Sequence, residues 1–116
     1  MRPILVTGGT GTLGRPLVRA LTDREREVRV LSRRPPDQAD DEPSVSWAVG
    51  DLTSGEGVQH AVEGVSAIVH CATRSSEPHA DVEGVRRLLQ AARQAGSPHL
   101  VYISIVGIDR VPDAYF

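Results

Sequence analysis

A glycine-rich turn between a short strand and a helix restricts the fold more than any other feature of this sequence. Residues 4–6 are three consecutive apolar residues, two of them β-branched, which predicts a short buried strand. Gly8 and Gly9 let the chain reverse sharply after it, because glycine has no Cβ. Gly11 leaves room for a phosphate to approach the backbone, and Gly14 lets the next helix lie close to the sheet. The segment therefore predicts an anion site at a helix N-terminus.

The residues after the turn complete a strand–helix–strand unit. Leu13, Leu17 and Leu21, with Val18 alongside, predict one apolar face of a helix. Residues 28–31 then predict a second, parallel strand. The spacing Gly-x-x-Gly-x-x-Gly is looser than G-x-G-x-x-G and is weak by itself. Its place after a strand and before a helix nevertheless indicates dinucleotide binding.

Three more strands are predicted at residues 45–49, 67–71 and 100–104. Together with the first two they predict an α/β fold with a doubly wound parallel sheet of strand order 3-2-1-4-5. A ligand is expected outside the carboxyl ends of these strands.

Two further helices are predicted between these strands. Ser54 is expected to cap a short helix near residues 58–62. A stronger helix over residues 81–95 is expected to carry an ion pair between Glu83 and Arg87. Its predicted apolar face consists of Val82, Val85, Leu88, Leu89 and Ala92.

The turn Thr7-Gly8-Gly9-Thr10-Gly11-Thr12-Leu13-Gly14 resembles the phosphate-binding turn of the short-chain dehydrogenase/reductase superfamily. The similarity is greatest to the extended and atypical branches, which include the NmrA-like proteins, and it runs through the whole chain. It implies a Rossmann-type NAD(P)-binding domain over residues 1–116, apparently truncated after the fifth strand and without the substrate region. It also implies that the turn residues bind the cofactor, namely Gly8, Gly9, Thr10, Gly11, Thr12, Leu13 and Gly14.

The residues after the second strand bear on the choice of cofactor. An Asp or Glu at this point would accept a hydrogen bond from the ribose 2′-hydroxyl of NAD. This sequence has Arg33 instead, and a guanidinium matches a phosphate with bidentate hydrogen bonds, to which Ser32 could add a hydroxyl. NADP is therefore the predicted cofactor, with NAD as the alternative. The competing interpretation is that Arg33 and Arg34 are solvated loop residues.

Two other segments are candidates for the cofactor site. Asp51 could accept from an exocyclic amine, or could form an Asx turn or a cap. The resemblance places Asp51 beside the adenine, with the backbone of Leu52 nearby. It also places the small residues Cys71, Ala72 and Thr73 beside the nicotinamide ribose. Cys71 is expected to be a buried small residue and not a nucleophile, and the preceding histidine, His70, is expected to be a packing residue.

The resemblance implies a catalytic role for Ser104 and Tyr115. The usual chemistry pairs this hydroxyl with a Tyr whose pKa is lowered by a Lys in Tyr-x-x-x-Lys. The chain ends at Phe116, before that Lys position, and an unperturbed phenol is a poor base at neutral pH. Tyr115 is therefore either part of a vestigial site or a frayed terminal residue.

Composition excludes several other classes of protein. The net charge of −2 gives no footprint for nucleic acid or an anionic membrane, and all 13 basic residues are Arg. A single cysteine suits a reducing cytoplasm. The histidines lack metal-ligand spacing, so no metal site is expected. No Gly-Lys-Ser/Thr follows the glycine turn, which argues against phosphoryl transfer.

Two classes of function remain at this point. The first is the cofactor-binding part of an NADP-dependent oxidoreductase that acts on an unknown small molecule. A sugar-nucleotide epimerase uses the same fold and cannot be separated from it. The second is a non-catalytic, NmrA-like dinucleotide sensor or regulator. In either case the fifth strand is expected to leave an apolar edge, which predicts a homodimer or a marginally soluble protein.

Overall fold

A computed structural model describes residues 2–9, 11, 13–34, 43–71 and 78–103, apart from the side chains of residues 78–81. Strands and helices alternate along these residues, except that β2 is followed in sequence by β3. The elements are β1 (Ile4–Thr7), α1 (Gly14–Asp23), β2 (Val28–Ser32), β3 (Val45–Val49), α2 (Val58–Val62), β4 (Ala67–His70), α3 (Pro78–Gln94) and β5 (His99–Tyr102).

The five strands form one sheet in the order β3-β2-β1-β4-β5, and every neighbouring pair is parallel. This confirms the predicted doubly wound sheet. The central strand β1 is buried along its whole length, and Leu5 and Val6 are 0% exposed. Thr7 at its end pairs in register with Leu31 on one side and His70 on the other. The first strand of the sequence is therefore the middle of the fold.

Each face of the sheet has its own apolar core, because successive strand residues point to opposite faces. On one face, Leu5 and Ile68 pack with Leu88 of α3 and Val62 of α2. The opposite face has a core of buried strand residues, against which α1 packs partly buried side chains. Its members are Ile4, Val6, Val28, Val30 and Val69, with Leu17, Val18 and Leu21 from α1.

Arg29 fixes the end of α2 to the sheet. Its Nη1 donates hydrogen bonds to the carbonyls of Ala61, at 2.8 Å, and Glu63, at 2.7 Å. The last carbonyls of a helix have no partner within the helix, so a cation there both pairs them and complements the helix dipole. The sequence pattern gave no indication of this role, since Arg29 lies in a strand far from α2.

Several predicted helix positions are wrong. Leu13 is 51% exposed and precedes α1, and on α3 Val82 and Leu89 are 55% and 41% exposed. Leu88 and Ala92 of the predicted face are buried as expected, but the side of α3 that faces the core also includes Gly84 and Ala91. Glycine contributes no hydrophobic side chain, so the apolar pattern of the sequence does not mark Gly84 as buried and wrongly includes Val82 and Leu89.

Two predicted polar contacts of the helices are also wrong. Ser54 does not cap α2, whose N-cap residue is Gly57. The Ser54 hydroxyl accepts from the N–H of Glu56 at 3.2 Å and so belongs to the preceding turn. On α3, Glu83 pairs with Arg86 at 3.7 Å and not with Arg87. Across the described part of the chain, no helix has both the length and the apolar character needed to cross a membrane.

Candidate functional site

The candidate cofactor residues lie at one edge of the sheet, where the parallel strands end. Gly8 follows β1, Ser32 ends β2, Asp51 comes shortly after β3, and Cys71 follows β4. The chain crosses to opposite sides of β1 to form β2 and β4, so this edge contains the point where the strand order reverses. In open α/β sheets, ligands bind in the crevice at such a point.

The turn after β1 is closed by a contact between its two ends. Gly8 has a φ of 71°, a left-handed conformation that favours glycine. The N–H of Gly11 donates to the Gly8 carbonyl at 3.0 Å. A Cβ on Gly14 would lie only 1.9 Å from that carbonyl oxygen. Gly14 therefore allows the helix to pack closely against the turn, whereas the sequence predicted close packing against the sheet.

The other two glycines of the turn differ in their surroundings. A Cβ on Gly9 would lie 2.7 Å from Cγ1 of Val30, so this residue allows the turn to pack across β2. Gly11 is exposed, and among the described residues a Cβ there would meet only the Gly8 carbonyl, at 3.4 Å. The open side of Gly11 can therefore admit a ligand oxygen close to the backbone.

The start of α1 provides hydrogen-bond donors for an anion. Leu13 is the N-cap residue and makes no capping bond with its side chain. The N–H of Arg15 donates to the carbonyl of Gly11 at 3.1 Å, whereas within the described residues the N–H groups of Leu13 and Gly14 have no acceptor. Unpaired N–H groups at the positive end of a helix can bind a phosphate.

The end of β2 forms a small polar turn. The hydroxyl of Ser32 accepts from the N–H of Arg34 at 3.2 Å, and its carbonyl accepts from the N–H of Gly50 at 3.1 Å. Ser32 is half-buried and is thereby tied to β3, while the side chains of Arg33 and Arg34 are exposed. The turn thus presents two guanidinium groups beside the crevice.

Asp51 begins a tight loop after β3. Its Oδ1 accepts from the N–H of Thr53 at 2.8 Å, which is the Asx turn named above as one alternative. A carboxylate has several acceptor sites, so this turn leaves capacity for a ligand amine. Within the described part of the chain the N–H of Leu52 has no acceptor. The loop therefore offers an acceptor and a donor side by side.

The end of β4 is a buried polar cluster. His70 is 2% exposed, its Nδ1 lies 2.7 Å from Oγ1 of Thr7, and its ring stacks on Tyr102 at a centroid distance of 5.6 Å. This confirms the prediction of a packed histidine. The N–H of Cys71 donates to Thr7 Oγ1 at 3.1 Å. Cys71 is half-buried, and burial raises the pKa of its thiol, which disfavours the nucleophilic thiolate.

Several predicted site residues lie outside the described residues. They are Thr10, Thr12, Ala72, Thr73, Ser104 and Tyr115. Within the residues that the structure does describe, no group of three or more His, Cys, Asp or Glu side chains is arranged to hold a metal ion.

Sequence reasoning missed the part that Arg87 plays at this edge. Arg87 is half-buried on α3, and its Nη1 donates to the backbone carbonyls of Leu52 and Thr53. These two residues immediately follow Asp51. The only signal in the sequence was a charged residue beside an apolar helix face, which is also common on solvated helices.

Comparison with known proteins agrees with this geometry. A protein family described as NAD(P)H-binding matches residues 8–116. A 3-beta-hydroxysteroid dehydrogenase from Mycolicibacterium neoaurum is 36% identical over 113 residues, which cover 85% of this chain and 31% of that protein. Sterol demethylase protein B from Methylococcus capsulatus is 41% identical over 112 residues, covering 89% of this chain and 34% of the relative. The chain thus spans about a third of the length of these relatives.

A solved structure shows the same architecture with a nucleotide bound. A uronate dehydrogenase variant from Agrobacterium tumefaciens, complexed with NAD, superposes with a TM-score of 0.75 at 30% identity, over 90% of this chain and 41% of that one. The family match extends over nearly the whole sequence and includes most of the glycine turn. This chain therefore belongs to the NAD(P)H-binding family, within the extended short-chain dehydrogenase/reductase superfamily.

Proposed function

We propose that this chain is the NADP-binding part of an oxidoreductase that transfers hydride between the nicotinamide and a carbonyl or alcohol. The observation that carries the choice of NADP is the exposed Arg33 directly after β2. In this fold the residue after the second strand faces the adenosine ribose. Relatives named as dehydrogenases support the reaction class.

The 2′-phosphate distinguishes NADP from NAD, so its binding needs positive charge at this position. Arg33 follows Ser32, whose carbonyl is hydrogen-bonded to Gly50. The base of the Arg33 side chain is therefore fixed by two strands, while its guanidinium is free to reach solvent. A charge-assisted hydrogen bond contributes about 1.5–3 kcal/mol, which corresponds to roughly 10- to 100-fold in affinity.

The test is a titration of the purified chain with NADPH and NADH, followed by nicotinamide fluorescence. The wild type is expected to bind NADPH at least about tenfold more tightly than NADH. Arg33→Met should remove this difference by lowering the affinity for NADPH and not that for NADH. Arg34→Met is the matched control, because Arg34 is equally cationic and exposed but is one residue further from β2. It should change NADPH affinity by less than about threefold.

Three results would count against this proposal. Equal weakening of NADPH and NADH by Arg33→Met would show that Arg33 supports the loop and does not contact the 2′-phosphate. Saturable binding of NADH with no preference for NADPH in the wild type would instead assign NAD as the cofactor. Failure of the folded wild type to bind either nucleotide would refute the functional proposal as a whole.

We propose Ser104 and Tyr115 as the hydroxyl groups that would meet the substrate oxygen. The proposal rests on their match to the superfamily motif, and the 116 residues contain no Lys to lower the pKa of a phenol. Nicotinamide oxidation by NADPH in the presence of a panel of aldehydes and ketones tests it. Tyr115→Phe should abolish any turnover, and an unchanged rate would show that Tyr115 takes no part.

We also propose that β5 pairs with a second copy of the chain. Within the described part of the chain, β5 is the last strand on its side of the sheet, and its residues Val101 and Tyr102 are 39% and 51% exposed. Exposed strand edges favour pairing with another chain. Sedimentation should reveal a dimer that Val101→Lys dissociates. The control Val49→Lys changes the strand at the opposite end of the sheet and should leave the dimer intact, whereas a monomeric wild type would refute the proposal.

A further inference from the structure

Arg87 reaches from α3 to the loop that follows β3. Its Nη1 donates to the carbonyl of Leu52 at 3.0 Å and also to that of Thr53. The neighbouring Arg86 is instead paired with Glu83, at 3.7 Å, on the exposed side of the helix. Of these adjacent arginines, only Arg87 connects α3 with the loop.

Two glycines allow this loop and α3 to approach each other. A Cβ on Gly84, about one turn before Arg87, would lie 3.3 Å from Cβ of Leu52. On the loop, Gly55 has a φ of +84°, and a Cβ there would lie 3.1 Å from Cδ of Arg87. The loop therefore closes over the aliphatic part of the arginine as well as over its guanidinium group.

One peptide group links Arg87 to Asp51. The carbonyl of Leu52 and the N–H of Thr53 belong to the same planar peptide unit. Arg87 donates to the carbonyl, and Oδ1 of Asp51 accepts from the N–H at 2.8 Å. A cation at the oxygen polarises the peptide and strengthens the bond at its N–H, as in other hydrogen-bond chains. Arg87 thus fixes the plane against which the Asp51 carboxylate is oriented.

The remaining bonds of the loop hold its base but not this peptide. The N–H of Asp51 donates to the carbonyl of Glu56 at 2.8 Å, and the N–H of Gly55 donates to the carbonyl of Asp51 at 2.7 Å. Both bonds involve the main chain of Asp51. The Ser54 hydroxyl also donates to the carbonyl of Asp51 at 3.5 Å and accepts from the N–H of Glu56 at 3.2 Å, and neither of these bonds involves the peptide between Leu52 and Thr53. Without Arg87, the bond to the Asp51 side chain, which can itself rotate, would be the only one that the peptide between Leu52 and Thr53 retains with the described residues.

We propose that Arg87 is a positioning residue for the adenosine end of the cofactor, acting through the Leu52–Thr53 peptide to orient the Asp51 carboxylate and the Leu52 N–H. This inference rests on the proposed nucleotide binding. It assigns no contact between Arg87 and the ligand. Its consequence is that α3, which supplies no residue to the glycine turn, determines how well one end of the cofactor is bound.

The first arm of the test needs no nucleotide. Hydrogen exchange is measured for the hydrogen-bonded amides of Thr53 and Gly55 in the wild type, Arg87→Met and Arg87→Lys, with Arg86→Met as the matched control. Arg87→Met should accelerate exchange in this loop by about tenfold, in line with the loss of charge-assisted hydrogen bonds, while exchange in β1 and β4 stays unchanged. Arg87→Lys should restore part of the protection, because lysine also donates to carbonyls.

The second arm compares two probes that contain adenosine with one that does not. Arg87→Met should lower the affinity for 2′,5′-ADP and for NADPH by about fivefold to tenfold and leave the affinity for reduced nicotinamide mononucleotide unchanged. Arg86→Met should affect none of the three. A general loss of stability would instead weaken all probes together and would raise exchange in β1 and β4 as well.

Each other outcome overturns a defined part of the inference. Unchanged loop exchange in Arg87→Met would refute the positioning role. Faster loop exchange with unchanged 2′,5′-ADP binding would refute the link to adenosine. If the wild type binds no probe, the proposed function fails and the link to adenosine fails with it, while the exchange arm still decides whether Arg87 holds the loop.

Discussion

Gly14→Ala tests whether the glycine turn depends on the contact between its two ends. The added Cβ would lie 1.9 Å from the Gly8 carbonyl oxygen and 2.7 Å from Cα of Gly9. The first distance is about 1.5 Å shorter than ordinary van der Waals contact, and the opposing atoms are backbone atoms that no side-chain rotation can move. The turn and the start of α1 must therefore separate.

The magnitude follows from two opposing terms. Overpacking costs about 1–3 kcal/mol, and the upper end applies here because the neighbours are backbone. Alanine recovers up to about 1 kcal/mol relative to glycine in a helix. The net loss of about 2 kcal/mol should lower the thermal midpoint by about 10 °C in a chain of this size. NADPH binding should fall with it, since the N–H groups of Leu13 and Gly14, which have no acceptor among the described residues, move relative to each other.

Gly11→Ala is the matched control in the same turn. Of the residues that the structure describes, its Cβ would meet only the Gly8 carbonyl, at 3.4 Å, so the midpoint should stay within about 3 °C of the wild type. Its NADPH affinity should nevertheless fall at least about tenfold, because the methyl group occupies the open side of the turn. Thermal unfolding and fluorescence titration of both variants decide the matter. If Gly14→Ala has the same thermal midpoint as the wild type, the contact does not hold the turn and the reasoning is wrong.

Three further predictions concern groups outside the glycine turn. Arg29→Met should lower the free energy of unfolding in urea by about 1.5–3 kcal/mol, because two carbonyls at the end of α2 lose a cationic donor; a change below about 0.5 kcal/mol would contradict this. Thr7→Val should cost about 1–3 kcal/mol by breaking the buried bond to His70, and Thr7→Ser should recover most of the loss in the same urea assay. The Cys71 thiol should react slowly with iodoacetamide at neutral pH, because burial raises its pKa and only the thiolate reacts. The reaction rate should rise only at pH values above the ordinary pKa of a thiol, and a rate at pH 7 equal to that of glutathione would refute this.

The order of the strands could be predicted because each strand is recognisable in the sequence as a short apolar run. The short apolar runs at β1, β2 and β4 alternate with helical or turn segments, and the glycine turn fixes the first crossover. A parallel sheet built from such units has few possible orders. The positions of Gly8, Ser32 and Asp51 at one edge then follow from the fold.

The apolar face of α3 was predicted less well for a physical reason. Gly84 and Ala91 lie on the buried side, although neither has a large apolar side chain. Leu52 fills the space beside Gly84. The pattern of large residues therefore points towards Leu89, which is exposed. A helix face that receives side chains from a loop is not visible in the hydrophobic periodicity of the helix alone.

The contacts of Arg87 and Arg29 could not be predicted from residue types. Both arginines donate to backbone carbonyls more than 30 positions away in the sequence. Every residue carries such a carbonyl, so no complementary charge identifies the partner. The predicted pair between Glu83 and Arg87 was reasonable from spacing, but the loop carbonyls compete for the same guanidinium group.

The central position of β1 has a consequence for the order in which the molecule can form. The two ends of the glycine turn are six residues apart, and the β2 residue that packs on Gly9 is Val30. The side of the crevice formed by the glycine turn therefore depends on the first third of the chain. Thr7, in contrast, pairs with His70, 63 residues later. During synthesis on the ribosome, β1 must wait for β4 with one edge open, so the β4 side of the crevice can be completed only after the side formed by the glycine turn.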